Sequence, residues 1–533
     1  MSFTSIKFIF IFLPIVLSCY IYINKKHPNF EVYFLLLVSL FYCAYIDIIA
    51  ASILCFSIFV NYSIALIIRR LEKKSHRKGL VTSGICANVF LLFAFKFSIE
   101  NSLGVLHNTV EYQSVFLEIG IPLGLSFYTF YQISFLVDTY KSETKLLDFF
   151  KYSLSVSLFS QLTAGPILNY RDGFSQFDQI GKKPFDYENL SRGISLFTVG
   201  LLKKVLLADS LATITSQLHH AISMGKELNT LESIGATWGF LLQLYFDFSA
   251  YSDMALGLGL CFGFTFPINF NSPLKATSFS DFISKWHMSL INFTRNYIFL
   301  PISKYVKKKA KGKAVRRQFI GWAVGLQASF LVINIWHSPT LMLILQGLVL
   351  GLFLIIVNVI GKSISRISIT PKKTSIRIKR LKAVLGHFLV LSAASIFATF
   401  LRISNFNELS TLFHGFFRLP KLETDNTLLI ETTSHFAYLI SDRLVPSIQE
   451  PITLLGYQTL TIPTIPFLLL LTLIGIFGPN TMQAFGMVVH LEKKWYQNFL
   501  WRPSLKWGIF IGLALASYLM IAENTSSLKF LYE

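Results

Sequence analysis

The chain has 533 residues, of which 53% are hydrophobic and 14% charged, and its mean hydropathy is +0.55. A soluble globular protein carries about 25% charged residues, so these values exclude one. Apolar runs of about 20 residues span a bilayer, and enough of them occur to predict an all-α polytopic membrane protein of about 11–13 membrane helices, with re-entrant and interfacial helices besides. The net charge of +20 does not point to nucleic acid. Much of it sits in two acid-free blocks between apolar spans, 304–317 and 362–382, which the positive-inside rule places in cytoplasmic loops.

In chain order, the first apolar run covers about 6–23 and lacks a small-residue cleavage site, so it reads as a retained span. Spans near 32–47 and 49–69 follow, joined by a short turn at Asp47. The basic stretch from Arg69 to Lys78 is expected inside, which places the N-terminus outside. A span near 82–98 leads to the loop 99–117, which has acids but no Lys or Arg and is expected outside. The segment 119–137 sets Gln132 and other polar residues among apolar ones, a pattern suited to interhelical hydrogen bonds.

Residues 149–169 end in Gly165-Pro166, which predicts a bend or re-entrant turn. A span near 192–216 carries Lys203 and Lys204, and a long helix is expected over 233–262. Spans at 318–336 and 340–361 enclose a turn, Asn334 to Pro339, that faces outward or lies within the membrane. A span at 383–402, a loop over 403–460, and spans near 461–479 and 507–523 complete the chain. One membrane-embedded domain over 1–533 is expected, with N-terminal spans 6–98, core 119–361 and C-terminal spans 383–523.

The stretch organised for chemistry is Tyr245 to Pro301. It opens with Asp247, Tyr251, Ser252 and Asp253 on an apolar helix, where carboxylates are expensive and face a partner, cavity or pathway. Helix locking through Tyr or Ser is the plainer role for the two acids. Gly257 and Gly259 suit close helix packing. The alternation of apolar and polar residues around Phe282 to Phe293 reads as an amphipathic interfacial helix. There Trp286-His287 either meets headgroups or lines the cytosolic mouth for a donor.

His337 sits in the tight turn beside Asn334 and Trp336, and reads either as a general base or as a hydrogen-bonded interhelical histidine. Of the remaining histidines, His27, His76, His219, His220, His414 and His490 read as solvated or interfacial, and His387 as a packing or headgroup residue. The five cysteines read as small buried hydrophobes, without disulfide or metal-ligand spacing. No phosphate loop, GxSxG elbow or HExxH motif occurs.

The ordered set GLSFYTFYQISFLVDTY (124–140), QLTAGPILNY (161–170), YFDFSAYSDMALGLGLCFGF (245–264), FISKWHMSL and IWH (335–337) resembles the membrane-bound O-acyltransferase (MBOAT) superfamily. The branch is the bacterial one of alginate O-acetylation and teichoic acid D-alanylation. That resemblance implies a bacterial cytoplasmic (inner) membrane enzyme that passes an acyl group, acetyl in the first instance, from a cytosolic thioester to a hydroxyl of an extracytoplasmic envelope polysaccharide.

It also implies acetyl-CoA as donor with no bound cofactor, membrane lipids around the chain, and a separate extracytoplasmic transferase as partner. By the resemblance His337 matches the active-site histidine and His287 the second histidine, on the cytosolic side. Trp286, Asn334, Trp336, Asp247, Tyr251 and Asp253 are candidate tunnel or orienting residues. The family's Gly after the histidine is Ser338-Pro339 here, and Arg-Arg before Trp-His is Ser284-Lys285. Two alternatives stay open: D-alanyl transfer from a carrier-protein thioester to teichoic acid, and a non-enzymatic polysaccharide or lipid exporter.

Overall fold

The structure, a computed structural model, describes residues 1–102, 121–141, 145–367, 376–419, 464–487 and 500–522. The loop expected over 99–117, the acidic part of 403–460, the Lys493-Lys494 connection and the middle of the second basic block lie largely or wholly outside them. Among the described residues every regular element is helical.

Four hairpin-connected helices come first: α1 (Phe8–Lys26), α2 (Glu31–Ile46), α3 (Ile48–Arg70) and α4 (Lys74–Ser102). The α2–α3 turn is a single residue, Asp47, whose carboxylate caps α3 by accepting from Ile49 N at 2.8 Å. α5 (Leu125–Lys141) packs on α3 and α4. The next segment breaks into α6 (Phe149–Ser157) and a single turn, α7 (Phe159–Leu162). An irregular bend through Gly165-Pro166 then leads to α8 (Tyr170–Asp178), so the sequence signal for a bend is met.

α9 (Tyr187–Leu202) continues through a π-wound segment, Lys203–Ala208, into α10 (Asp209–Ser223). Antiparallel to both runs α11 (Thr230–Cys261), opened by an Asn229/Glu232 capping box. Nearly all of its residues are buried, and at 1.5 Å per residue it is about 48 Å long. Its close crossing with α9 depends on glycine. A Cβ at Gly257 would lie 2.6 Å from the Gly193 carbonyl oxygen, and one at Gly200 would lie 2.8 Å from that of Ala250.

After α11 the chain re-enters the protein through 262–287, including the short α12 (Phe279–Lys285). A single helical run, α13 (288–309), follows; it is α-helical at Met288–Thr294 and Leu300–Lys309 and π-wound between. Then come α14 (Ala314–His337), α15 (Leu341–Ile367), α16 (Ile376–Thr399), α17 (Phe406–Gly415), α18 (Thr464–Phe477), the turn α19 (Thr481–Ala484) and α20 (Leu505–Ala522). Among the described residues seven helices are long and apolar enough to cross a membrane by length and composition, and the chain is a multi-pass membrane protein. Large apolar side chains such as Phe56, Phe90 and Leu352 lie exposed on their outer faces, where lipid would cover them.

Alternation of the hairpins gives the molecule a basic end. Lys25 and Lys26 share it with the Arg69–Lys78 turn, and the Arg77 bond to the Tyr140 carbonyl with Lys141 over the Tyr297 ring puts the exposed cluster Lys307 to Arg317 on the same side. Inside, two lysines lock α11. Lys204 bridges Asp247 at 2.6 Å and Asp209 at 2.9 Å, with its side chain and that of Asp247 almost wholly buried. Lys203 bridges Asp253 at 2.5 Å and donates to Thr481 at 2.8 Å. Asp247 and Asp253, expected to lock helices through Tyr or Ser, are each paired with a lysine.

Two sequence expectations fail on burial. His219 is only 8% exposed and lies against Phe240 at 5.4 Å, because it sits on the face of α10 that packs on α11. Cys19, Cys55 and Cys86 are exposed, on helix faces turned away from the core.

Removing one partner of a buried ion pair strands the other charge, at a cost of about 3–5 kcal/mol. Lys204→Met is expected to lower the unfolding temperature of the detergent-solubilised protein sharply. An unchanged temperature would show that the Lys204–Asp247 pair does not hold α11.

Candidate active site

α13 and α14 form an antiparallel hairpin whose register sets the site. Glycines bring the two helices together: a Cβ at Gly321 would lie 2.7 Å from Ser303 O, and one at Gly325 would lie 3.0 Å from Phe299. Four residues along α14 thus match four residues back along α13. Carried to the helix ends, that register sets His337 level with His287. The two imidazoles lie close enough to act on one another electrostatically. The hairpin is about 33 Å tall at 1.5 Å per residue, and its other end is the exposed basic cluster.

The expectation for His287 is corrected here. It is not on an interfacial helix at the cytosolic mouth, across the membrane from His337. The amphipathic pattern around Phe282 to Phe293 spans two different helices, α12 and the first turns of α13, and the chain reverses between them at Trp286-His287.

His287 is 5% exposed, and its ring meets Phe248 edge-on at 4.6 Å. Phe248 lies about 20 Å along α11 from Cys261 and about 27 Å from Thr230, so the histidine sits beside the middle of α11. Its backbone is left-handed, at φ 43 and ψ 52. For a residue with a Cβ that conformation costs about 1–3 kcal/mol and persists only where the surroundings over-determine it. Its Nδ1 is buried without a hydrogen-bond partner.

His337 closes α14 and is half-buried. Trp336 packs on Phe130 at 4.9 Å and donates from Nε1 to the Ser126 carbonyl at 3.4 Å, which walls the histidine on the α5 side. Phe130 in turn packs on Phe293 of α13 at 4.4 Å. Lys96, buried near the end of α4, donates to the Trp336 and His337 carbonyls, the latter at 3.2 Å. It thereby covers the otherwise open carbonyls at the end of α14. The sequence signal for Lys96 was a single cation inside an apolar run, and reading that run only as a span passed over it.

The other candidates divide. Trp286 packs against Phe270 at 5.2 Å and Phe282 at 5.4 Å, beside His287. Tyr251 hydrogen-bonds Thr163 and accepts from Ala164 N at 3.2 Å, so it fastens the Gly165-Pro166 bend to α11. Asn334 does not reach the imidazole through its amide nitrogen; Nδ2 donates to Phe330 O of its own helix at 2.8 Å. Asp247 and Asp253 belong to the lysine locks. A separate cavity of about 360 Å³ adjoins Tyr245, Lys203, Asn480 and Trp507. Among the described residues no cluster of side chains is arranged to hold a metal.

The arrangement is two imidazoles set level with one another by the α13–α14 register, inside the protein and walled by aromatic rings. It suits proton transfer and carbonyl polarisation with water kept out. The sequence matches the model of the MBOAT, membrane-bound O-acyltransferase family, over residues 35–399. It is 32% identical to the peptidoglycan O-acetyltransferase of Helicobacter pylori, over 66% of this chain and 69% of that protein. It is 31% identical to the probable alginate O-acetylase AlgI of Pseudomonas fluorescens, over 70% of this chain and 69% of that one. To the teichoic acid D-alanyltransferase of Bacillus subtilis it is 26% identical, over 42% of this chain and 56% of that protein.

Carbonyls left buried and unpaired cost about 1–3 kcal/mol each. Lys96→Met is therefore expected to lower thermal stability, and Lys96→Arg to retain most of it. Equal stability of Lys96→Met and the unaltered protein would refute the capping role.

Proposed function

The chain belongs to the membrane-bound O-acyltransferase family and is a multi-pass membrane acyltransferase of envelope polymers, and from that premise we propose that it passes an acetyl group from acetyl-CoA to a polysaccharide hydroxyl at the paired histidines. The observation that carries this reading is the α13–α14 register, which brings His287 and His337 to one level inside the protein. Acetyl is preferred to D-alanyl because the matches to O-acetylating proteins are both longer and closer than those to D-alanyltransferases.

In this reading the basic end faces the cytosol. Its exposed lysines and arginines attract the phosphates of the thioester donor, and the acceptor hydroxyl arrives from the opposite end. His337 takes the hydroxyl proton as the oxygen bonds to the thioester carbonyl carbon. His287, with its free Nδ1 edge, polarises the carbonyl oxygen as charge builds there. The carbon–sulfur bond then breaks, and the proton held at His337 passes to the leaving thiolate. Trp336 and the rings around it exclude water and so protect the thioester from hydrolysis. A separate extracytoplasmic transferase that carries the acetyl group onward to the polymer fits the same scheme.

The test is transfer by purified protein reconstituted in lipid, from acetyl-CoA labelled in its acetyl group. Loss of a general acid–base group costs about 10²–10⁴-fold, so His337→Ala is expected to fall by that factor while remaining monodisperse. Near-normal transfer by a folded His337→Ala would overturn the mechanism.

A further inference from the structure

We propose that Asn269 is a positioning residue for acyl transfer, holding His287 in its left-handed turn so that the imidazole meets His337. The inference rests on the reading of His287 as part of the acyl-transfer site. It arises from bonds that neither the sequence motifs nor the paired histidines account for.

Asn269 lies in the re-entrant stretch after α11 and is 1% exposed. Its backbone carbonyl accepts from Met288 N at 2.9 Å, the amide that directly follows the strained histidine. Its side-chain Oδ1 accepts from the Ser289 hydroxyl at 2.6 Å. Its Nδ2 donates to the Ser252 hydroxyl on α11 at 2.9 Å. The Ser289 oxygen also accepts from Ile167 N at 2.9 Å, in the Gly165-Pro166 bend.

One carboxamide therefore ties the residues after His287 to the central helix, and through Ser289 to the bend that Tyr251 already fastens. A second strap runs from Asn271 N to the Lys285 carbonyl at 3.1 Å, on the other side of Trp286-His287. The histidine's unfavourable φ is thus enclosed by bonds before and after it. Asn suits the hub because its side chain offers an acceptor and a donor at once. Leu, which is close in size, offers neither.

The role predicts coupling, and coupling is measurable. Misplacing a catalytic group by about 1 Å can cost on the order of 100-fold, so Asn269→Ala is expected to lower kcat about 10- to 100-fold while the donor KM stays nearly constant. Because Asn269 acts through His287, adding Asn269→Ala to His287→Ala should cost little more, whereas residues that act independently give additive losses. Full additivity would overturn the proposal.

Ser252→Ala, which removes one bond and leaves Asn269 in place, is the gentler variant should Asn269→Ala fail to fold. An activity-independent readout is the ring resonance of His287 in protein labelled at histidine Cε1, assigned by its loss in His287→Ala. It should move in Asn269→Ala and Ser252→Ala while the signals of distant histidines such as His27 and His414 hold. An unmoved His287 signal in both variants would overturn the proposal. If the unaltered protein transfers no acyl group, the functional reading fails and this resonance still decides the clamp.

Discussion

Irregular backbone and polar side chains survive at membrane depth only where protein surrounds and satisfies them. The stretch 262–287 is such a backbone, and α11 is its wall. A helix about 48 Å long and buried nearly throughout has few interior faces to spare. Here one meets α9 and α10 through glycine contacts and the Lys203 and Lys204 pairs, and another carries the re-entrant stretch through Ser252 and Phe248. The strained conformation of His287 exists because that wall fixes the chain on both sides of it.

The second requirement is a level meeting place. α13 ascends from His287 to the basic cluster, and α14 returns from that cluster to His337, so the hairpin delivers both rings to one height. Glycines at 321 and 325 let the helices close without side-chain bulk between them, while Lys96 satisfies the end of α14 where the imidazole emerges. In the proposed reaction a thioester entering at the basic end has the full length of the α13–α14 hairpin, about 33 Å, to traverse. In that proposal the acceptor approaches from the other end, and the aromatic lining around Trp336 would separate the two routes from bulk water.

Much of this was legible in the sequence, for physical reasons. Apolar run length sets the helices; Gly165-Pro166 cannot continue one; Asp47 marks the turn between two spans; Gly257 permits close approach. The ordered motifs identified the family and pointed to His337 and His287. What stayed hidden depends on pairing across the chain. Lys203 and Lys204 were visible, as were Asp247 and Asp253, but nothing local says that they meet. The amphipathic pattern around Trp286-His287 misled because its periodicity continues across a reversal that only tertiary bonds impose. Asn334 drew attention by standing beside the histidine in sequence, yet on a helix three residues is nearly a full turn, and its amide found a carbonyl one turn back.

The central claim is spatial: two histidines far apart in sequence share one height in the membrane. Thiol cross-linking tests it directly. In a background freed of the five native cysteines, His287→Cys together with His337→Cys should be joined by a short bifunctional thiol reagent in intact membranes. The pair Phe299→Cys and Gly325→Cys serves as a positive control for the hairpin. If the control pair joins efficiently and the histidine positions do not, the two rings do not meet, and the site described here is wrong.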